Sequence, residues 1–360
     1  MKAASPAHAG LQGLRTRPLD QRVPIVLGGL ALLLVAVSLV SLGLGAVGIP
    51  VGRVIDALAS AFPGAPAAPP GDALVVLQVR LPRLLLGLLV GAGLAVSGTL
   101  MQGLFRNPLA DPAIVGVSTG AALAAAVVIV MGPRWFGAVP FLALPVGAFC
   151  GCLIATLFLY LIATRDGRTS IATMLLGGVA FGALAWAFMG FLSYLSNDQQ
   201  LRDLNFWSMG SLSGSTWAKT AAVAPFILPA MALMPFLARG LNALSLGEAE
   251  AFHLGLPVQR VKAAAILLVA VMVGASVAAA GIIGFVGIIV PHTLRVLTGA
   301  DHRLLLPASA LLGGALLVGA DSFARTVVAP AEMPIGILTA IIGAPFFLWL
   351  LLGRQRGIGA

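Results

Sequence analysis

Long apolar stretches alternate with short polar or Gly/Pro-containing segments along the whole 360-residue chain. A helix needs roughly 17–25 mostly apolar residues to cross a bilayer. The pattern predicts ten such helices, at about 23–47, 84–104, 113–131, 141–163, 171–195, 221–237, 263–280, 282–297, 304–320 and 335–352. The eighth is short and reads as broken at Pro291. After the first comes a turn at Gly48-Ile49-Pro50, a short segment over 51–62 and a Pro/Gly/Ala-rich loop reaching Asp72. A short helix is expected at 201–209, and the longest polar segment, 239–262, separates the sixth and seventh spans.

This is an all-α, polytopic transmembrane bundle in expectation. With the N-terminus in the cytoplasm and ten alternating spans, fourteen Lys and Arg residues fall inside and seven outside. The positive-inside bias favours that orientation, which puts both termini in the cytoplasm. The chain then divides into a tail (1–22), a transmembrane domain (23–353) containing a cytoplasmic loop (239–262), and a second tail (354–360). The apolar run after the polar start is longer than a secretory h-region, so it is expected to remain as the first transmembrane helix.

Composition sharpens the picture. Hydrophobic residues make up 59% of the chain and charged ones 9%, whereas soluble domains carry roughly 25% charged residues. Lipid must therefore be the solvent for much of the surface. The formal charge of +9 comes from Lys and Arg residues that sit singly or in pairs between apolar stretches. That is the pattern of loop charges, not of a nucleic-acid patch. Cys150 and Cys152 lie two apart in one apolar stretch and would point to different sides of a helix, which speaks against a shared metal or redox role.

The acidic residues, among them Asp111, Asp166, Glu248, Asp301, Asp321 and Glu332, all fall near span ends or in loops. Ion-driven carriers usually need ionisable groups within the membrane, so a secondary carrier and a charged-ring channel are disfavoured. The stretch 213–220 resembles a phosphate loop only superficially, because Ser213 and Ala218 stand where glycines are needed. His8, His253, His292 and His302 form no metalloprotease pair. His292, next to Pro291, reads as a satisfied group at a kink before a haem-iron ligand. No resident metal or cofactor is expected, and the energy for uphill movement would come from a partner. Residues 244–255 read as a short helix suited either to docking in a partner's groove or to lying on the membrane interface. Arg80, Arg83 and Arg325 at the outer rim fit carboxylates of a docking protein or, equally, interfacial anchors.

Four stretches carry a resemblance. The first is RLPR at 80–83, running through GAGLAVSG at 91–98 to FRNPLADP at 105–112 and GVSTG at 116–120. The second is LRDLNFWSMG at 201–210. The third is Leu254-Gly255. The fourth is GFVGIIVPH at 284–292, continuing to ADHR at 300–303, MPIG at 333–336 and GAP at 343–345. Over about 25–352 the chain resembles the permeases of type II ABC importers, which carry vitamin B12, iron-siderophores and haem.

The resemblance implies a multi-pass protein of the bacterial inner membrane that pairs with a second copy of itself. It also implies two cytoplasmic ABC ATPases, which use the ATP, and a periplasmic substrate-binding protein. Arg80, Arg83 and Arg325 take the positions that meet the binding protein. Leu244, Glu248, Glu250, Phe252, His253, Leu254 and Gly255 fall in the loop that receives the ATPase's motion. Asn107, Leu109, Thr169 and Ser170 take the positions of the cytoplasmic gate. Arg202 sits near the pathway mouth, where it either attracts an anionic cargo or pairs with Asp198 or Asp203. Haem is the expected cargo, with a ferric siderophore or vitamin B12 as alternatives. A membrane-embedded enzyme or scaffold without transport activity is the opposing class.

Overall fold

The computed structural model describes residues 18–45, 47–64, 68–137 and 142–356. Most of the expected N-terminal tail (1–17) and the end of the C-terminal one (357–360) lie outside the described residues. Helices α1 (Leu19–Gly43), α2 (Val51–Ala59) and α3 (Pro70–Leu74) open the fold. A π-helical segment, Val75–Arg80, joins α3 without a break to α4 (Leu81–Leu104). Then come α5 (Val117–Phe136), α6 (Ala143–Ala163), α7 (Ile171–Tyr194), α8 (Asp198–Ser208) and α9 (Trp217–Leu246). The chain ends with α10 (Glu248–His253), α11 (Val258–Ala280), α12 (Val286–Thr298), α13 (His302–Val327) and α14 (Ile335–Arg356).

Eight helices among the described residues are long and apolar enough to cross a membrane, and α12 and α14 are shorter apolar helices. The expected second span is the centre of the bundle. Its helix extends from Pro70 to Leu104, with 83% of its most apolar window buried, against 11% for α1. It packs most extensively on α13 and also contacts α9, α11 and α12. The glycines explain how. A Cβ on Gly91 would lie 2.3 Å from the Gly313 carbonyl oxygen, and one on Gly98 would lie 1.9 Å from that of Gly287. Backbones can meet this closely only where no side chain intervenes. Thr99, a polar residue inside the bundle, is paired: its Oγ1 donates to Ala95 O and lies 2.8 Å from Ser309 Oγ across the α4–α13 contact.

Several expectations about boundaries change. The presumed loop reaching Asp72 is already helical from Pro70, because Pro suits the first helical turn. α9 runs on to Leu246, beyond the expected end at 237, so Leu244 belongs to it and not to the short helix expected at 244–255. Gly247, with φ 140°, breaks the chain there, and the short helix starts at Glu248. Pro291 does not break α12, which continues through it. The irregular stretch lies before the helix, where Phe285 adopts φ 67°. One element was not expected at all. Strands β1 (Thr164–Arg165) and β2 (Arg168–Thr169) pair as a hairpin between α6 and α7. Asp166 and Gly167 both have positive φ, which matches the Asp-Gly turn that favours tight hairpins.

Candidate functional site

At the expected outer end, the three arginines fall into one cluster, and each is held within the chain. Arg83 acts as a double fork. Its Nε and Nη2 donate to Asp321 at 2.9 and 2.8 Å, and its Nη1 donates to both carboxylate oxygens of Glu332 at 2.9 and 3.0 Å. Planar bidentate pairing of this kind is the guanidinium's strongest geometry. Arg325 donates to the Ser41 carbonyl and hydroxyl at 2.6 and 2.8 Å and lies beside Asp321. Arg80 is buried and donates to the carbonyls of Leu42 and Val47. The cluster therefore sews the C-terminal end of α1, the start of α4, the end of α13 and the loop before α14. Asp321 is buried and satisfied, whereas Glu332 is 40% exposed. Burial pushes the Glu332 carboxyl up, but the hydrogen bonds and charge of Arg83 more than offset it and hold the group below the usual carboxylate range.

Arg202 lies on α8, a short helix fixed by a capping box between Asn197 and Gln200. It is exposed, and among the described residues it forms no ion pair with Asp198 or Asp203. Gln200 Nε2 donates to Val130 O at 3.2 Å, which anchors α8 to α5.

At the opposite end, a cavity of about 450 Å³ is lined by Phe105, Arg106, Asn107, Thr169, Ser170 and Glu248 among others. Three of the four expected gate residues thus share one space, and Leu109 does not line it. Local chemistry positions each. Asn107 Oδ1 accepts from the Leu109 N–H at 3.0 Å and shapes the turn after α4. Ser170 caps α7 by accepting from the Thr173 N–H. Thr169 closes the hairpin opposite Thr164, their hydroxyls 3.0 Å apart.

The short helix α10 lies beside this cavity. Phe252 and Leu254 are exposed, Ala251 is buried, and the rings of Phe252 and His253 meet edge-on with centroids 6.1 Å apart. A second cavity of about 710 Å³ lies between the hairpin turn and α10, bounded by Arg168, Glu248, Phe252, His253 and Arg260. Glu250, Leu254 and Gly255 do not border that cavity.

Sequence reasoning missed two features here. Lys262, taken only as a loop cation, is 1% exposed and ion-paired with Glu248 at 2.6 Å. His302 is also buried: its Nδ1 lies 2.7 Å from Asn242 Oδ1, Asn242 Nδ2 donates to Asp301 at 2.8 Å, and the Asp301 carboxylate caps α13. This network explains physically why ADHR stands where α9 meets α13. A lysine next to polar Gln259 and Arg260 offers no sequence signal of burial. Among the described residues, no group of three or more His, Cys, Asp or Glu side chains is placed to hold a metal.

A helical membrane bundle with a glycine-packed central helix, and with the short helix α10 beside a polar cavity, fits a membrane permease. The chain belongs to the FecCD transport family, which it matches over residues 33–353. It is 51% identical over 283 residues to the Hemin transport system permease protein HmuU of Yersinia pestis, covering 78% of this chain and 83% of that protein. It is 41% identical over 331 residues to the Vitamin B12 import system permease protein BtuC of Klebsiella pneumoniae subsp. pneumoniae, covering 92% and 94%. A solved structure described as an inward-facing ABC transporter of metal-chelate type superposes with a TM-score of 0.80 at 35% identity, covering 92% of this chain and 99% of that one.

Proposed function

We propose that this chain is the membrane-spanning subunit of an ATP-driven importer in the bacterial inner membrane, and that its cargo is haem. Two copies pair around the pathway, each docks a cytoplasmic ATPase on α10, and a periplasmic binding protein delivers cargo to the outer end. The observation that carries the reading is the adjacency of α10 to the polar cavity. A helix with exposed Phe252 and Leu254 is a surface for a partner's groove. It stands directly against the space where Asn107, Thr169 and Ser170 meet. A partner pressing on α10 thereby acts at the expected gate. Arg83 is the docking arginine of this reading, because its partner Glu332 is accessible for exchange with a carboxylate of the binding protein. Arg80, which is buried, and Arg325, whose side chain is 8% exposed, serve as its support. Arg202, exposed and with no ion pair among the described residues, draws anionic groups such as haem propionates toward the mouth.

Haem is favoured over vitamin B12 by the higher identity to the haemin permease, 51% over 283 residues against 46% over 281 for the Cobalamin import system permease protein BtuC of Halobacterium salinarum. The test is cargo discrimination. The permease is assembled with its ATPase in lipid nanodiscs, and ATP hydrolysis is measured with binding proteins loaded with haem, ferric siderophore or cobalamin. The haem-loaded protein should give the largest stimulation. Stimulation by cobalamin or a siderophore without any by haem would replace the cargo while leaving the permease role intact.

A further inference from the structure

Among the described residues, Lys262 is the largest fully buried side chain, and it is a basic one. It stands in the second turn of α11 and reaches two segments remote in sequence. Its Nζ lies 2.6 Å from Glu248 Oε2 at the start of α10 and donates to Thr169 O at 2.9 Å. One turn earlier, Gln259 Oε1 accepts from the Thr169 N–H at 3.0 Å. Both peptide hydrogen-bonding groups of Thr169 are therefore held by α11. Thr169 leads directly into Ser170, the cap of α7, and both line the cavity shared with Asn107.

Burying an ammonium is costly, and an apolar residue of similar length would often serve the fold as well or better. A buried charge that joins two otherwise separate segments therefore calls for a reason beyond packing. The ammonium offers three donors, and two are directed at these two segments. Lys262 is 1% exposed, so its ammonium has little access to replacement water, although Glu248 itself is 40% exposed. We propose that Lys262 is the positioning residue that ties movement of α10 to the gate loop, with Gln259 holding the same residue from its other side. The proposal rests on the importer reading and deepens it. A displacement of Glu248 by the docked ATPase is carried through Lys262 to the Thr169 carbonyl. The hairpin and the start of α7 then shift with α10. Phe252 and Leu254 supply the contact surface, and Lys262 transmits its motion.

The variants are Glu248→Gln, Lys262→Met and the double variant. Glu248→Gln leaves the buried Lys262 ammonium without its carboxylate, and Lys262→Met leaves the buried Thr169 carbonyl without its lysine donor, so each single variant should unfold more readily. The double variant removes both charges, so it should unfold closer to wild type than Glu248→Gln does. A merely structural pair would then recover function along with stability. The proposal expects otherwise. In the full complex with ATPase and loaded binding protein, reconstituted in proteoliposomes, the double variant should lose about fivefold or more in cargo accumulated per ATP hydrolysed, within the usual range of coupling factors. Hydrogen exchange of residues 164–170 in the isolated permease should be faster than in wild type. An unchanged uptake-to-ATP ratio in the double variant, or unchanged exchange in the hairpin, overturns the proposal. A wild-type complex with no ATP-driven uptake at all overturns the importer reading itself, and with it the transmitted motion, whatever the exchange result.

Discussion

Gly98→Ala is the sharpest test of how this bundle packs. The added Cβ would stand 1.9 Å from the Gly287 carbonyl oxygen and 2.5 Å from the Gly287 carbonyl carbon. Non-bonded heavy atoms prefer separations of roughly 3.5–4.0 Å. The obstructing atoms are backbone, so no side chain can swing away. α4 and α12 would have to part by about 1.5 Å to restore ordinary contact. Overpacking of a well-filled interior costs about 1–3 kcal/mol. Gly28→Ala is the internal control, since nothing lies within 4 Å of a Cβ there. It should be neutral or stabilise by roughly 0.5–1 kcal/mol, because alanine is the better helix residue. Equilibrium unfolding in mixed micelles, titrated with a denaturing detergent and followed by tryptophan fluorescence, measures both. Gly98→Ala should unfold earlier than wild type and Gly28→Ala no earlier. A Gly98→Ala protein as stable as wild type would refute the close α4–α12 contact.

The outer cluster makes two further predictions. Asp321→Asn should destabilise by about 3–5 kcal/mol, because it strips a buried partner from Arg83, while Arg83→Met combined with Asp321→Asn should cost less than either change alone; a double-mutant cycle in the same unfolding assay decides. The Glu332 carboxyl is held below its ordinary value, so its link to Arg83 is fully present above the usual carboxylate range and is lost as pH falls through the depressed value. The stability difference between wild type and Glu332→Gln should therefore hold at neutral pH and vanish on strong acidification; a difference that grows as pH falls would reverse the sign. At the other end, proline at Ala251, whose N–H donates to the Gly247 carbonyl at 3.0 Å, should disrupt α10 and leave ATP hydrolysis uncoupled from transport, and normal coupling in that variant would remove α10 from the docking role.

Much of the fold was legible because membrane helices advertise themselves by length and apolarity alone. The centres of the expected spans all fall within helices. Boundaries were less legible where a helix continues past the apolar stretch. α9 reaches Leu246 through Arg239 and Asn242, which read as loop residues but are accommodated at the helix's polar end. The hairpin between β1 and β2 is too short for a periodic signal, although Asp166-Gly167 is a turn pair that could have announced it. The arginines were visible as a group, but their partners were not. Asp321 and Glu332 lie more than two hundred residues from Arg83 along the chain, and only the packing of α4 on α13 brings them together. That packing also changes how docking is tested. Arg80→Glu would set a carboxylate against the Leu42 and Val47 carbonyls, so it would probe folding and not association. Arg83→Gln is the cleaner variant. Lys262 escaped notice for a related reason, since its burial depends on α10 folding back across α11.

The transport role itself is tested most directly by accumulation against a gradient. Proteoliposomes holding the permease and its ATPase are supplied with haem-loaded binding protein outside the face it docks, and with ATP or a non-hydrolysable analogue on the ATPase side. Haem should accumulate across the bilayer with ATP and not with the analogue. Equal accumulation with both, or none with ATP for any iron chelate or cobalamin, would contradict an ATP-driven importer.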